Sequence, residues 1–154
     1  MTNPEILARK KALRESAQAA RKQILGRADF GLHDPKTGAL VARLETAADP
    51  WAVAFSPDGA TLLASNQDGS IDIFSVEAME RVGTIQGHGR LIPGIAFTPD
   101  GRLFATGSED GAMKVWDLQS RREMLSLQPG GAEIVEVAFD PSGRYLAGAT
   151  AQGF

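Results

Sequence analysis

The chain has 154 residues, a formal net charge of −3, 43% hydrophobic residues and 23% charged residues, ordinary values for a globular domain that can bury a core. Because it contains no cysteine, a disulfide framework and a thiolate metal site are both excluded. No apolar run approaches the roughly 20 residues of a membrane-spanning helix, and the lack of cysteine leads us to expect a cytoplasmic location, with the nucleus as an alternative.

The first 27 residues differ from the rest of the chain in both charge and periodicity. They carry seven basic and two acidic residues, so their net charge is +5 and the remaining residues carry −8. Residues 4–25 place apolar side chains at helical spacing, Asn3 is a suitable N-cap and Gly26 a suitable end. We therefore predict a separate unit, residues 1–27, that forms a basic amphipathic helix. It either packs against the body of the chain or docks on a partner.

From residue 28 onward the sequence predicts short strands separated by turns. The turn residues include Pro57, which presets φ, and Gly59, which tolerates positive φ. The strands are apolar at consecutive positions rather than at alternate ones, as expected for a small sheet that is covered on both faces. In chain order the first predicted strands are residues 28–33, 40–44, 51–56, 61–65, 71–76 and 81–85.

This series of strands repeats with a period of 42 residues. Phe55, Phe97 and Phe139 are successive members of the repeat. Four short strands in about 42 residues is the spacing of a β-propeller blade. Residues 29–154 span three such units, and the two strands that the last unit lacks are those at the start of the chain. The aligned segments are Ala54-Phe55-Ser56-Pro57-Asp58-Gly59, Ala96-Phe97-Thr98-Pro99-Asp100-Gly101 and Ala138-Phe139-Asp140-Pro141-Ser142-Gly143.

The middle unit begins with Gly87-His88 and carries Trp116-Asp117 on its third strand. In these motifs the chain resembles the WD-repeat family. The resemblance implies an all-β fold over residues 28–154, a partial propeller of three four-stranded WD-type repeats, preceded by the N-terminal α-helix. It also implies a structural hydrogen-bonded tetrad of His88, Thr106, Asp110 and Trp116.

The other two units depart from the family pattern. The first keeps Asp68 but has Ala64 at the hydroxyl position and Phe74 at the tryptophan position. The third has Gln152 where the tetrad aspartate is expected. A complete tetrad is therefore expected only in the middle unit.

We find no arrangement of residues that predicts catalysis or metal binding. Of the two histidines, His88 belongs to the implied tetrad and His33 is expected on a strand. Residues 107–111 are glycine-rich, but Glu109 and Asp110 would repel a phosphate, so we interpret them as a turn. Residues 66–72 resemble a calcium loop only superficially. We expect no enzymatic activity, no cofactor and no metal.

The resemblance implies that protein partners bind over the narrow face, where the loops from fourth to first and from second to third strands lie. It predicts a non-enzymatic scaffold for protein–protein interaction. The alternative is a regulatory or sensor segment of a larger enzyme or signalling protein. Trp51 equally fits packing between blades. The candidate partner-binding residues on these loops are Trp51, Asp68, Arg90, Leu91, Glu109 and Glu133.

Three blades cannot close a ring, because propellers need about four or more. Two copies could form a six-bladed ring, another protein could supply the missing blades, or the chain could be a fragment of a longer propeller. Nucleic acid is disfavoured as a partner by the acidic body and by the lack of aromatic residues among the basic ones. A membrane is disfavoured because the apolar stripe of residues 1–27 is largely alanine.

Overall fold

The computed structural model describes residues 9, 12 and 28–151. The helix predicted over residues 1–27 lies outside the described residues, except for Arg9 and Ala12, and stays a prediction. Nowhere in the described part of the chain is there a helix with the length and apolar character of a membrane span. The strands are β1 (Asp29–His33), β2 (Leu40–Glu45), β3 (Pro50–Phe55), β4 (Thr61–Asn66), β5 (Ser70–Ser75), β6 (Glu80–Gln86), β7 (Gly94–Phe97), β8 (Leu103–Gly107), β9 (Met113–Asp117), β10 (Glu123–Leu127), β11 (Ile134–Phe139) and β12 (Leu146–Thr150).

These strands form four antiparallel sheets in which sequence neighbours pair. We name them the first half-blade (β1–β2), blade I (β3–β6), blade II (β7–β10) and the last half-blade (β11–β12). The prediction of an all-β fold with four-stranded sheets is confirmed. The third unit is divided within the described residues, since its strands form a pair at each end of the series.

In blades I and II and in the last half-blade, the turn between the first two strands is closed by a hydroxyl and a carboxylate. In blade I, Ser56 Oγ donates to Asp58 and accepts a hydrogen bond from the backbone N–H of Thr61. The Ser56 hydroxyl and the Ala60 N–H hold the pKa of Asp58 below its ordinary value. In the last half-blade the two residue types exchange places, and Ser142 donates to Asp140. The turn therefore depends on the pair of groups rather than on their order.

The core lies between the sheets, in three clusters of buried side chains. Between blades I and II, Leu63, Phe104 and Trp116 are almost fully buried. The rings of Phe104 and Trp116 are stacked with centroids 6.2 Å apart. The first half-blade covers Leu62 and Phe74 of blade I in the same way. Because blades I and II bury apolar residues on both faces, burial of neighbouring sheets against one another is the main source of stability.

Candidate functional site

Four side chains of blade II form a continuous hydrogen-bonded chain. His88 lies in the β6–β7 connection, Thr106 on β8, Asp110 in the β8–β9 turn and Trp116 on β9. The His88 Nδ1 to Asp110 Oδ2 distance is 2.9 Å, and the His88 Nε2 to Thr106 Oγ1 distance is 2.7 Å. Trp116 Nε1 lies 2.9 Å from the same Thr106 oxygen. The structure thus brings together all four residues of the implied tetrad.

The donors in this chain follow from its chemistry. The indole N–H of Trp116 can only donate, so Thr106 Oγ1 accepts from it. The carboxylate of Asp110 can only accept, which assigns a proton to His88 Nδ1. Neutral His88 then has an unprotonated Nε2, and this atom accepts the hydroxyl proton of Thr106. Every polar atom between Trp116 and Asp110 is satisfied in this arrangement.

The pKa values of the two titratable members favour neutral His88 beside ionised Asp110. Burial lowers the pKa of His88 below its ordinary value, and the neighbouring carboxylate only partly opposes this. Burial alone would raise the pKa of Asp110, but hydrogen bonds from the Ala112 N–H and from His88 outweigh it and lower that pKa. The tetrad is therefore a structural clamp and not a poised proton donor.

The tetrad and its neighbours join the β6–β7 connection to the β8–β9 turn. Ser108 Oγ and the Glu109 N–H both donate to the carbonyl of Leu91, at 2.9 and 3.0 Å. The backbone carbonyl of Ser108 in turn accepts from the N–H of Ile134, at the start of β11. Three successive connections are thus held in one arrangement, which makes the surface they form rigid.

On this surface three predicted residues meet, and we call them the loop cluster: Arg90, Glu109 and Glu133. Arg90 Nη2 lies 3.3 Å from Glu109 Oε2, and Arg90 Nη1 lies 3.5 Å from Glu133 Oε1. Arg90 also donates to the carbonyl of Glu109 at 3.2 Å. An open cavity of about 670 Å³ lies beside them, lined by Arg90, Glu109, Asp110, Gly131, Ala132, Glu133 and Ala151.

The remaining predicted residues have different positions. Leu91 contributes its carbonyl to the clamp described above. Asp68 lies in the β4–β5 turn, where its side chain accepts from Ser70, next to Gly69, which is packed against the backbone of His88 and Arg90. The placement of Trp51 on a loop is wrong, whereas the strand predicted over residues 51–56 is confirmed: Trp51 lies on β3, and its side chain is 44% exposed.

Blade I has a second polar network that the sequence analysis missed. Asp72, on β5, is completely buried. It accepts hydrogen bonds from the Ala47 N–H (2.7 Å), Asn66 Nδ2 (2.9 Å) and Thr84 Oγ1 (2.5 Å), and its Oδ1 lies 3.3 Å from Arg81 Nη1. It therefore ties the β2–β3 connection to β4, β5 and β6, which is the task of the tetrad in blade II.

A sequence signal for this network exists. Asp72 interrupts an otherwise apolar strand, and a buried carboxylate is costly unless it is paired and hydrogen-bonded. Its position corresponds to Lys114 of blade II, which pairs with Glu123 at 2.9 Å. The family pattern concerns the tetrad positions only. It does not include position 72, whose buried carboxylate does the work of the tetrad in blade I.

No group of three or more histidine and acidic side chains suited to a metal ion occurs in the part of the chain that the structure describes. The clusters that exist are already explained by hydrogen bonds and ion pairs within the fold.

The family model for the WD domain, G-beta repeat, matches residues 38–75 and 79–117, together half of the chain. Each match runs from the last strand of one sheet through the first three strands of the next, since the first covers β2–β5 and the second β6–β9. No curated protein matches the chain. WD repeats generally mediate protein–protein interaction and are typically non-enzymatic. On its matched repeats and its four-stranded sheets, the chain belongs to the WD-repeat family.

Proposed function

We propose that this chain is a non-enzymatic scaffold that binds a protein partner over the loop cluster. The observation that carries the proposal is the meeting of Arg90, Glu109 and Glu133, which come from three different connections, beside an open cavity. Arginine is among the residue types that often dominate interface energy. The side chain of Arg90 is 57% exposed and already oriented by its two ion pairs.

The charge of this surface indicates the chemistry of the partner. Two carboxylates surround one guanidinium, and Asp110, whose pKa is lowered, adds a third carboxylate at the same cavity. The wall therefore carries a net negative charge at neutral pH. Electrostatic complementarity favours a partner segment that presents lysine or arginine side chains.

The hydrogen-bonded tetrad below the loop cluster lowers the entropic cost of such binding. Part of the cost of association is the ordering of loops and side chains. Here the three connections are already held by the tetrad and by Ser108, so a partner meets a surface that needs little rearrangement. The loops of the scaffold therefore lose little conformational freedom when a partner binds.

The test uses two fluorescent peptides of equal length, one with alternating lysines and one with alternating glutamates. Fluorescence anisotropy should show binding of the lysine peptide, weakened by salt. The double substitution Glu109→Gln and Glu133→Gln should lower its affinity roughly threefold to tenfold, if each exposed carboxylate contributes about 0.5 kcal/mol or somewhat more.

The matched control is Glu77→Gln, which removes an exposed carboxylate from the β5–β6 turn, at the opposite strand ends. It should leave the affinity unchanged. Equal binding of the two peptides, or equal loss in the control and in the double variant, would refute the loop cluster as the binding surface.

A further inference from the structure

Arg90 occupies the acidic surface of the loop cluster in the free chain. Its guanidinium lies between the carboxylates of Glu109 and Glu133, at 3.3 and 3.5 Å, and donates to the Glu109 carbonyl at 3.2 Å. Of the described residues that line the adjoining cavity, Arg90 alone is basic, whereas Glu109, Asp110 and Glu133 are acidic. The two glutamates that a basic partner segment would contact are therefore already paired with a cation of the chain itself.

The ion pairs of Arg90 are of a kind that another cation can replace. Tight charge-assisted hydrogen bonds between nitrogen and oxygen have lengths of about 2.7–2.9 Å, and both contacts of Arg90 exceed this range. The side chains are exposed by 57% at Arg90, 31% at Glu109 and 46% at Glu133, so water and salt screen their attraction. Exposed pairs of this kind contribute little free energy. Release of the guanidinium therefore costs little.

The backbone at Arg90 is held in place, whereas its side chain is exposed. The carbonyl of Arg90 accepts a hydrogen bond from Ser108 Oγ at 3.3 Å, and the carbonyl of Leu91 accepts from the same hydroxyl at 2.9 Å. Gly69 packs against the Arg90 carbonyl so closely that no Cβ fits between them. The guanidinium can therefore leave the two glutamates by rotation of side-chain bonds alone. Such rotations are fast in exposed residues and need no rearrangement of the three connections.

We propose that Arg90 is an internal competitor, whose guanidinium holds the position that a basic side chain of the partner takes on binding. This inference rests on the proposed function, because it requires a basic segment to bind at the loop cluster. In the free chain Arg90 neutralises part of the negative charge of this surface. On binding, a cation of the partner pairs with Glu109 and Glu133. The released guanidinium of Arg90 stays at the rim of the cavity, where it contacts the partner in its turn.

Arg90→Gln tests this exchange in the full chain, with the lysine peptide as the probe in fluorescence anisotropy. The variant removes the competitor and leaves the carboxylates of Glu109 and Glu133 to the peptide, so the affinity should rise about threefold to tenfold. If Arg90 is instead a strut that binding needs, the same substitution lowers the affinity, and that result would overturn the proposal. Because Arg90 is exposed, the urea midpoint of the variant should stay close to that of the wild type.

Loss of a positive charge also strengthens the binding of a basic peptide from a distance, and Arg102→Gln is the matched control for this effect. Arg102 is exposed in the β7–β8 turn, at the opposite strand ends from Arg90. The five residues of β8 span about 16 Å, which exceeds the screening length of about 8 Å in physiological salt. The control should therefore leave the affinity almost unchanged. An equal gain in the two variants would contradict the exchange.

A double-mutant cycle separates exchange from repulsion at close range. In the background of Glu109→Gln and Glu133→Gln, Arg90 has neither glutamate to hold, so Arg90→Gln should bring no gain there. A gain of the same size in that background would show that Arg90 only repels the peptide, and the proposal would be wrong. If no variant binds the lysine peptide, the proposed function fails and this inference fails with it. If the wild type binds and Arg90→Gln binds no better, only this inference fails.

Discussion

Replacement of Thr106 with Val tests the clamp with almost no change of shape. Thr106 is fully buried, and its hydroxyl links Trp116 Nε1 to His88 Nε2. The substitution removes two hydrogen bonds and leaves a buried donor and a buried acceptor without a partner. Each such orphaned group costs about 1–3 kcal/mol, so we expect the free energy of unfolding to fall by about 2–6 kcal/mol. This is a large fraction of the roughly 5–15 kcal/mol of a typical domain.

The assay is urea denaturation followed by tryptophan fluorescence. The chain has two tryptophans, so a Trp51→Phe background leaves Trp116 as the reporter of the clamp. Thr106→Ser is the matched control, because it keeps the hydroxyl and loses one methyl group, at a cost of about 1 kcal/mol. If the valine variant is no less stable than the serine variant, the hydrogen bonds of Thr106 do not contribute as argued.

Three further predictions concern the polar networks and a tight turn of blades I and II. Asp72→Asn should lower the free energy of unfolding by about 3 kcal/mol in urea denaturation, because it leaves donors of the buried network facing a second amide donor. Burial lowers the pKa of His88 in the folded chain, so as the pH falls the unfolded chain takes up a proton on this histidine before the folded chain does. The free energy of unfolding should therefore be highest above pH 6.5, the ordinary pKa of histidine, and should decline as the pH falls below that value. His88→Gln should flatten this decline in urea midpoints measured across that range. Gly69→Ala should cost more than about 2 kcal/mol in thermal denaturation, because φ is +84° and the added Cβ would collide with the carbonyl oxygen of His88. Gly59→Ala, with φ +72° and open space around it, should cost only about 1 kcal/mol.

The fold was predictable because its signals are local and repeated. The Pro-Asp-Gly turns and the apolar runs indicate where strands end, and the 42-residue period places them in register. The resemblance to the WD-repeat family implied the tetrad residues, and the structure brings them together. The predicted helix of residues 1–27 remains a prediction.

Two features of the site could not be read from the pattern. Trp51 was placed both in the strand predicted over residues 51–56 and among the loop candidates, because the start of a strand has no sharp sequence signal; it lies on β3. Asp72 was read as part of a turn that resembles a calcium loop. Its partners are Ala47, Asn66, Arg81 and Thr84, which come from three different elements. Only their convergence in space reveals a buried network.

By itself the sequence determined the kind of structure: an all-β fold from residue 28 onward, a blade length of 42 residues and the positions of its turns. These follow from local preferences, since φ at proline and glycine and the run of apolar residues act over a few positions. The tertiary structure alone decided which side chains of different blades meet. Arg90 reaches Glu133 across 43 positions of the chain, and Val53 is exposed while Ile95 is buried at the same position of the repeat. Burial depends on whether a neighbouring sheet is present, and no local preference carries that information.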